Sequence, residues 1–246
     1  MIDSPKDLMK FFDFHIQGRD HDSSLRLLLE ASRLGYQGGV LVYPSDRYPD
    51  LKSDLESLRE NPELQDFEIA RGVMINASDP RDMRRSVNKF RKKADVIYVS
   101  GGNLKVNRAA CESRRVDVLS APYTSRRDPG INHVLAREAA RNNVAVELPL
   151  ADVIGSWLKV RARVLEQFRE ILKLHRKFGF PLLLTSRASS IYDLRTPGDI
   201  MNLAECFGME ANEAEESLTS TPASILEDSG KRHLLIAEGV RLLPEN

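Results

Sequence analysis

A chain of 246 residues with 41% hydrophobic and 29% charged residues has the composition of an ordinary globular protein, which excludes a disordered or fibrous chain. No apolar run approaches the roughly 20 residues needed to cross a bilayer, and MIDSPKDLMKFFDF at the N-terminus lacks the features of a secretory signal, so a cytoplasmic protein is expected. The formal net charge of zero conceals a separation: residues 42–70 hold 3 Lys/Arg against 8 Asp/Glu, residues 71–141 hold 16 against 7, and residues 189–230 hold 1 against 9.

The predicted elements begin with FFDFHI (11–16), an apolar strand, followed by a helix over 23–35 with an Asp22/Ser23 start and Gly35 at its end. GVLVYP (39–44) closes the first strand–helix–strand unit, and FEIARGVMI (67–75) is the third strand. DPRDMRRSVNKFRKKAD (79–95) is a helix with Met83, Val87, Phe90 and Ala94 on one stripe, which leaves Arg85, Lys89 and Lys92 on a basic face. The strands DVIYVS (95–100), VDVLSA (116–121), VAVEL (144–148) and PLLLTS (181–186) alternate with helices over 131–143 and 157–179. Near-continuous apolar runs of this kind suit parallel strands covered on both faces. From residue 189 onward the chain reads as mostly helix, and HLLIAEGVRLL near the C-terminus supplies either a last short strand or only a helix and tail.

The repeated strand–helix order, the total length and the lack of a GxGxxG after the first strand favour an α/β TIM-barrel-like parallel barrel. It would have seven clear strands, an irregular or missing eighth and a helical C-terminal region, in one domain spanning 1–246. The rim at the C-terminal strand ends is where such a barrel displays its chemistry. It would carry His15 and Gln17, Ser100 and Asn103, Tyr123, Glu147 and Arg187. His15 and Glu147 are placed for a metal site, yet a lone buried histidine is more often a hydrogen-bonded core residue than a ligand. SGGNLKVNR (100–108) lacks the ending of a phosphate-cradling loop and reads as a turn, or as a phosphate contact through its backbone and Lys105. No GxSxG elbow is present, and Cys111 and Cys206 stand apart without a CxxC partner, so reduced, structural cysteines are expected.

Basic residues are better supplied, with thirteen Lys/Arg between Arg81 and Arg127. Their concentration suits a phosphate backbone, while the alternative is a solvated charged face. YTSRRDP falls at a strand-to-helix loop, where Tyr123 beside Arg126 and Arg127 could add base stacking.

FDFHI, LGYQGGVLVYP, ADVIYVSGGN, RRVDVLSAPYTSRRDPGINHVLAREAARNNVAVEL and PLLLTSRASSIYDLRTP together resemble the ribonuclease P protein component 3 family, the archaeal counterpart of a thirty-kilodalton nuclear ribonuclease P subunit. The resemblance implies a barrel-like subunit that assists 5′ leader removal from precursor tRNA while RNA carries the reaction. The same barrel is similar to the polymerase and histidinol phosphatase family, whose first strand ends in His-x-His and whose last carries Asp-x-His. Here those positions read His15-Ile16-Gln17 and TSRAS (185–189), and Arg187 would repel a divalent ion and attract a phosphate.

The resemblance further implies a non-catalytic subunit with no catalytic or metal-binding residue and no cofactor of its own, magnesium belonging to the RNA. RNA contact is expected from Arg85, Lys89, Lys92, Lys105, Arg108, Arg114, Arg115, Arg126, Arg127 and Arg187. Expected partners are the catalytic RNA, precursor tRNA indirectly, and other protein subunits, especially a small α/β one, with no membrane. The rival is a metal-dependent phosphoesterase of the histidinol phosphatase type using His15, Glu147 and either His21 or His133.

Overall fold

The apolar runs pair in chain order as β1 (Phe12–Gln17), β2 (Gly38–Pro44), β3 (Glu68–Ile75), β4 (Val96–Ser100), β5 (Val118–Ser120), β6 (Ala145–Pro149) and β7 (Leu182–Thr185), and every neighbouring pair is parallel. The structure is a computed structural model that describes residues 10–231, 235–237 and 240–241. The sheet curls until Ile16 forms a parallel bridge with Ala188, just beyond β7, and the Gln17 N–H donates to the Ala188 carbonyl at 2.8 Å. The fold is therefore a TIM-barrel-like α/β barrel, nearly closed by seven strands.

The helices are α1 (His21–Arg33), α2 (Tyr48–Arg59), α3 (Pro80–Phe90), α4 (Leu104–Cys111), α5 (His133–Asn142), α6 (Ala151–Ile154), α7 (Leu158–Phe178), α8 (Pro197–Glu205), α9 (Ala211–Leu218) and α10 (Ser220–Gly230). The start of α1 differs from the expected Asp22/Ser23. Asp20 caps it, its side chain accepting from the Ser23 N–H at 2.8 Å while Ser23 answers as a capping box. In SGGNLKVNR the expected turn covers only Gly101, Gly102 and Asn103, and LKVNR begins α4, capped by Asn103. Within HLLIAEGVRLL lie β8 (Leu235–Ala237) and β9 (Val240–Arg241), which pair antiparallel with each other, so that no eighth barrel strand occurs among the described residues. His233 lies outside the described residues.

The apolar stripe expected on α3 is buried as a set, Met83, Val87, Phe90 and the following Ala94 packing into the layer between sheet and helices. Inside the barrel a second cluster forms from Phe12, Phe14, Val40, Val42, Ala70, Val96, Tyr98, Val118, Ala145 and Leu183, with Ile225 of α10 packed against it. Gly72 makes room there, since a Cβ at that position would come within 2.8 Å of Val40 and Val42 and 3.1 Å of the Tyr98 ring.

Simple alternation along β1 would put Phe12, Phe14 and Ile16 on one face and His15 and Gln17 on the other. A bulge prevents this, because Asp13 pairs with Gly39 whereas Ile16 pairs with Leu41, so three steps on β1 match two on β2. Ile16 consequently joins the outer core with Leu41, while His15 and Gln17 turn toward the barrel mouth. One extra residue decides what the mouth contains.

Candidate functional site

The mouth at the C-terminal strand ends is an open cavity of about 870 Å³, within the size range of small-molecule sites. On its floor His15 Nδ1 lies 2.7 Å from Glu147 Oε1, and Thr185 Oγ1 donates to the same oxygen at 2.6 Å. Both members of the pair are buried. Burial alone would push the Glu147 carboxyl up, but the charge and hydrogen bond of His15, with the Ser120 and Thr185 hydroxyls, outweigh it and bring it down to about 2. Glu147 Oε2 has no hydrogen-bond partner among the described residues.

A second buried carboxyl, Asp13, accepts from the backbone N–H groups of His15 at 3.3 Å and Ser186 at 3.2 Å, and from the Ser186 hydroxyl. The two from Ser186 fasten β1 to the end of β7. Burial nevertheless dominates and pushes its carboxyl up to about 6 from an ordinary 3.8. The native state thus holds a proton that the unfolded chain has released, and stability contributed here falls as pH rises from about 4 to about 6. Asp13→Asn is expected to flatten that slope and to raise stability near pH 7 by roughly 2–3 kcal/mol. Thermal unfolding at about pH 4.5 and 7 checks it, and an unchanged slope between the two would refute it.

Above this floor, Asp152 ties two rim residues together. Its Oδ2 accepts from the Tyr123 hydroxyl at 2.7 Å, and its Oδ1 pairs with the Arg187 guanidinium. Gln17 Nε2 donates to the Arg187 carbonyl at 3.3 Å, so the positions where the metallophosphoesterase motifs would stand contact one another. Tyr123 is buried and packs edge-on against Phe168, which corrects the expectation of an exposed stacking ring.

The predicted RNA-binding residues separate into two groups. Arg85, Lys89, Lys92, Lys105, Arg108, Arg114 and Arg115 are exposed on the outer wall made by α3, α4 and their following turns, away from the mouth lining. Several have partners there: Arg85 with Asp82 at 2.7 Å, Arg108 with Glu112 at 2.8 Å, and Arg115 with Asn88 at 2.6 Å. Lys92 and Lys105 show no ion pair or hydrogen bond from their ammonium groups among the described residues. Arg126, Arg127 and Arg187 line the mouth. Arg126 makes a two-point contact with Asp128, at 2.8 Å and 2.5 Å, whereas Arg127 is exposed and shows no side-chain partner among the described residues. Three further mouth arginines, Arg19, Arg47 and Arg163, went unmarked in the sequence; Arg19 stands two residues beyond Gln17 and was legible as a rim position.

Other expected rim residues do not converge. Asn103 caps α4, and the free cysteines Cys111 and Cys206 are buried and exposed respectively. His21 begins α1, 3.4 Å from Asp22, and His133 is exposed at the start of α5. Among the described residues no three His, Cys, Asp or Glu side chains are spaced to hold a metal ion. No helix among them is long and apolar enough to cross a membrane.

Comparison with known proteins adds independent information. The family model described as RNase P subunit p30 matches residues 10–234. The ribonuclease P protein component 3 of Methanothermobacter thermautotrophicus is 98% identical over 239 residues, covering 97% of this chain and 98% of the relative. That of Methanococcoides burtonii is 38% identical, covering 94% and 93%. A chain from a cryo-electron microscopy structure of archaeal ribonuclease P with mature tRNA superposes with a TM-score of 0.76 at 30% identity, covering 95% of this chain and 98% of that one. An ochratoxinase from A. niger shares the fold alone, with a TM-score of 0.59 at 10% identity.

Proposed function

Because the chain belongs to the ribonuclease P subunit p30 family, we propose that it is a non-catalytic protein subunit of ribonuclease P. It would bind and brace the RNA that hydrolyses the phosphodiester bond preceding the mature tRNA 5′ end. The observation that carries this reading is the full-length likeness, in sequence and in fold, to a chain of archaeal ribonuclease P. The site geometry agrees with it. The His15 and Glu147 groups that a metallophosphoesterase would turn toward metal face each other, and the rim is dominated by arginine.

In this reading the outer wall of α3 and α4 neutralises RNA phosphates with little dependence on sequence, discriminating by helix shape and backbone. Magnesium serves the RNA, and precursor tRNA is met through the assembled particle. The acidic segment 189–230, carried by α8, α9 and α10, is the surface we assign to another protein subunit, a small α/β partner.

Two measurements test the reading. Precursor-tRNA cleavage reconstituted from RNA and the other subunits should rise when this chain is added, and no change would refute the role. Lys92→Ala/Lys105→Ala should weaken RNA binding and flatten its salt dependence by about 0.7–0.9 in log–log slope for each lost phosphate contact. An unaltered slope would remove these two residues from the interface.

A further inference from the structure

The backbone of the mouth is unusual. Five non-glycine residues have positive φ, namely Ala121 (45°), Ser125 (60°), Asn143 (53°), Leu158 (46°) and Arg187 (49°). Asn143 is an ordinary left-handed helix cap. Of the other four, Ala121, Ser125 and Arg187 line the cavity, and Leu158 lies between the lining residues Ser156 and Val160. A leucine at positive φ is a genuine outlier, and strained residues gather where a ligand is held.

At Leu158 the strain accompanies an exposed apolar edge. Trp157 is 76% exposed and Leu158 88%, beside the half-exposed Val160. Trp157 does not dangle. The Arg161 guanidinium sits 5.6 Å from its ring centre, and Arg161 is itself fixed by donating to the Val153 carbonyl at 2.9 Å and the Ile154 carbonyl at 3.2 Å. The ring is therefore presented with one side on a cation and much of its surface open. From there α7 turns Val160, Arg163, Val164 and Gln167 into the cavity at helical spacing.

The charge within the cavity is one-sided. Among the described residues that line its wall the one carboxylate is Asp152, whose oxygens are both engaged, by Tyr123 and Arg187, and the Glu147 carboxylate beneath is buried against His15. Arg19, Arg127 and Arg163 are exposed and form no ion pair or side-chain hydrogen bond among the described residues. Unpaired arginines in a concavity call for an anion, and a fixed aromatic plane at its edge calls for a flat ring.

We propose that the barrel mouth binds a nucleotide of single-stranded RNA, its phosphate among Arg19, Arg127 and Arg163 and its base stacked on Trp157. The proposal rests on the RNA-binding reading above and assigns it a second, smaller site distinct from the outer wall. A protein partner would also cover Trp157, but the unpaired cations beside it favour a phosphate.

Trp157 is the one tryptophan of the chain, so its fluorescence reports this site alone. Titrating the full chain with 5′-phosphorylated single-stranded hexauridylate should quench that signal in a salt-sensitive way, and an equal concentration of duplex RNA should not. Arg127→Ala/Arg163→Ala should weaken hexamer binding about tenfold or more, and Trp157→Ala, followed by anisotropy of a labelled hexamer, should do likewise. All three side chains are exposed, so the variants test binding rather than folding. Several results would overturn the proposal: absence of quenching, quenching indifferent to both arginines, or a signal that changes only when other ribonuclease P proteins are added. Uridine monophosphate binding as tightly as the hexamer would assign the mouth to free nucleotides instead. Catalytic-RNA binding, measured on the same preparation, separates the two readings. Its persistence without a mouth signal defeats only this proposal, whereas loss of both defeats the RNA-binding role itself.

Discussion

Replacing His15 with alanine is expected to destabilise the fold by about 3–5 kcal/mol, because it leaves the Glu147 carboxylate charged and unpaired inside the barrel. The Ser120 and Thr185 hydroxyls remain, but two neutral groups are too little to hold a buried charge. The loss should depend on pH in a definite direction. In the intact protein the Glu147 carboxyl is held at about 2 against an ordinary 4.5. Its stabilising contribution is therefore complete above about pH 4.5 and is lost as pH falls toward 2. Asp13 has the opposite sign and contributes less as pH rises from about 4 to about 6. From these two groups stability peaks between about pH 4 and 5. Without His15, burial is left to raise the Glu147 carboxyl, so the variant should lose more at about pH 7 than at about pH 4. Chemical denaturation at both pH values measures this, and His15→Ala/Glu147→Ala should lose less than the two single variants added together. Additive losses would mean that the pair is not coupled. The same variants address the phosphoesterase rival: chelator-sensitive turnover of simple phosphate esters, abolished by His15→Ala, would make His15 a metal ligand and overturn its structural role.

The parallel barrel was legible because seven β-branched, near-continuous apolar runs leave little else for those segments to be. Three kinds of feature stayed hidden. A helix as short as α4, eight residues, makes barely two turns and carries little periodicity, although Asn103 marked its cap. The bulge in β1 depends on pairing with β2, and nothing local in FDFHIQ announces it, although the rim position of His15 and Gln17 was read from the strand's end. Charge partnership was legible only when local. Asp128, two residues from Arg126, explains why that arginine is engaged, while the Asp152–Arg187 pair joins α6 to the end of β7 and no spacing reveals it. Counting arginines therefore found the basic region but did not separate those bound to carboxylates from those open to a phosphate. The reading of His15 as a hydrogen-bonded residue rested on what its side chain can bond to, and its contact with Glu147 agrees with it.

Asn107→Ala is expected to cost about 3–5 kcal/mol and to loosen the arginine-bearing side of the mouth, through three hydrogen bonds lost at one fully buried side chain. Asn107 Oδ1 accepts from the Gly102 N–H at 3.1 Å, and its Nδ2 donates to the carbonyls of Pro122 at 2.9 Å and Gly130 at 2.8 Å. One amide thereby joins the loop after β4 to both ends of the loop after β5 that carries Ser125, Arg126 and Arg127. The fit is close enough that Gly130, at φ 70°, could not accept a Cβ, which would fall 1.8 Å from the Pro122 carbonyl oxygen. Alanine at 107 strands a buried N–H and two carbonyls, and no water-sized replacement restores the geometry that spaced the two loops. Aspartate would be no remedy, since it keeps the Oδ1 acceptor but offers the two carbonyls no donor and adds a buried charge. Hydrogen exchange should show the effect concentrated in residues 101–103 and 121–130, with the outer basic wall on α3 unchanged. RNA binding through Lys92 and hexamer binding at the mouth should then part company in the refolded variant, the second falling further than the first. Equal protection throughout, or a loss below about 1 kcal/mol, would mean that the loop is held by Gln167, which donates to the Arg126 and Asp128 carbonyls at 3.0 Å and 3.2 Å, and not by Asn107.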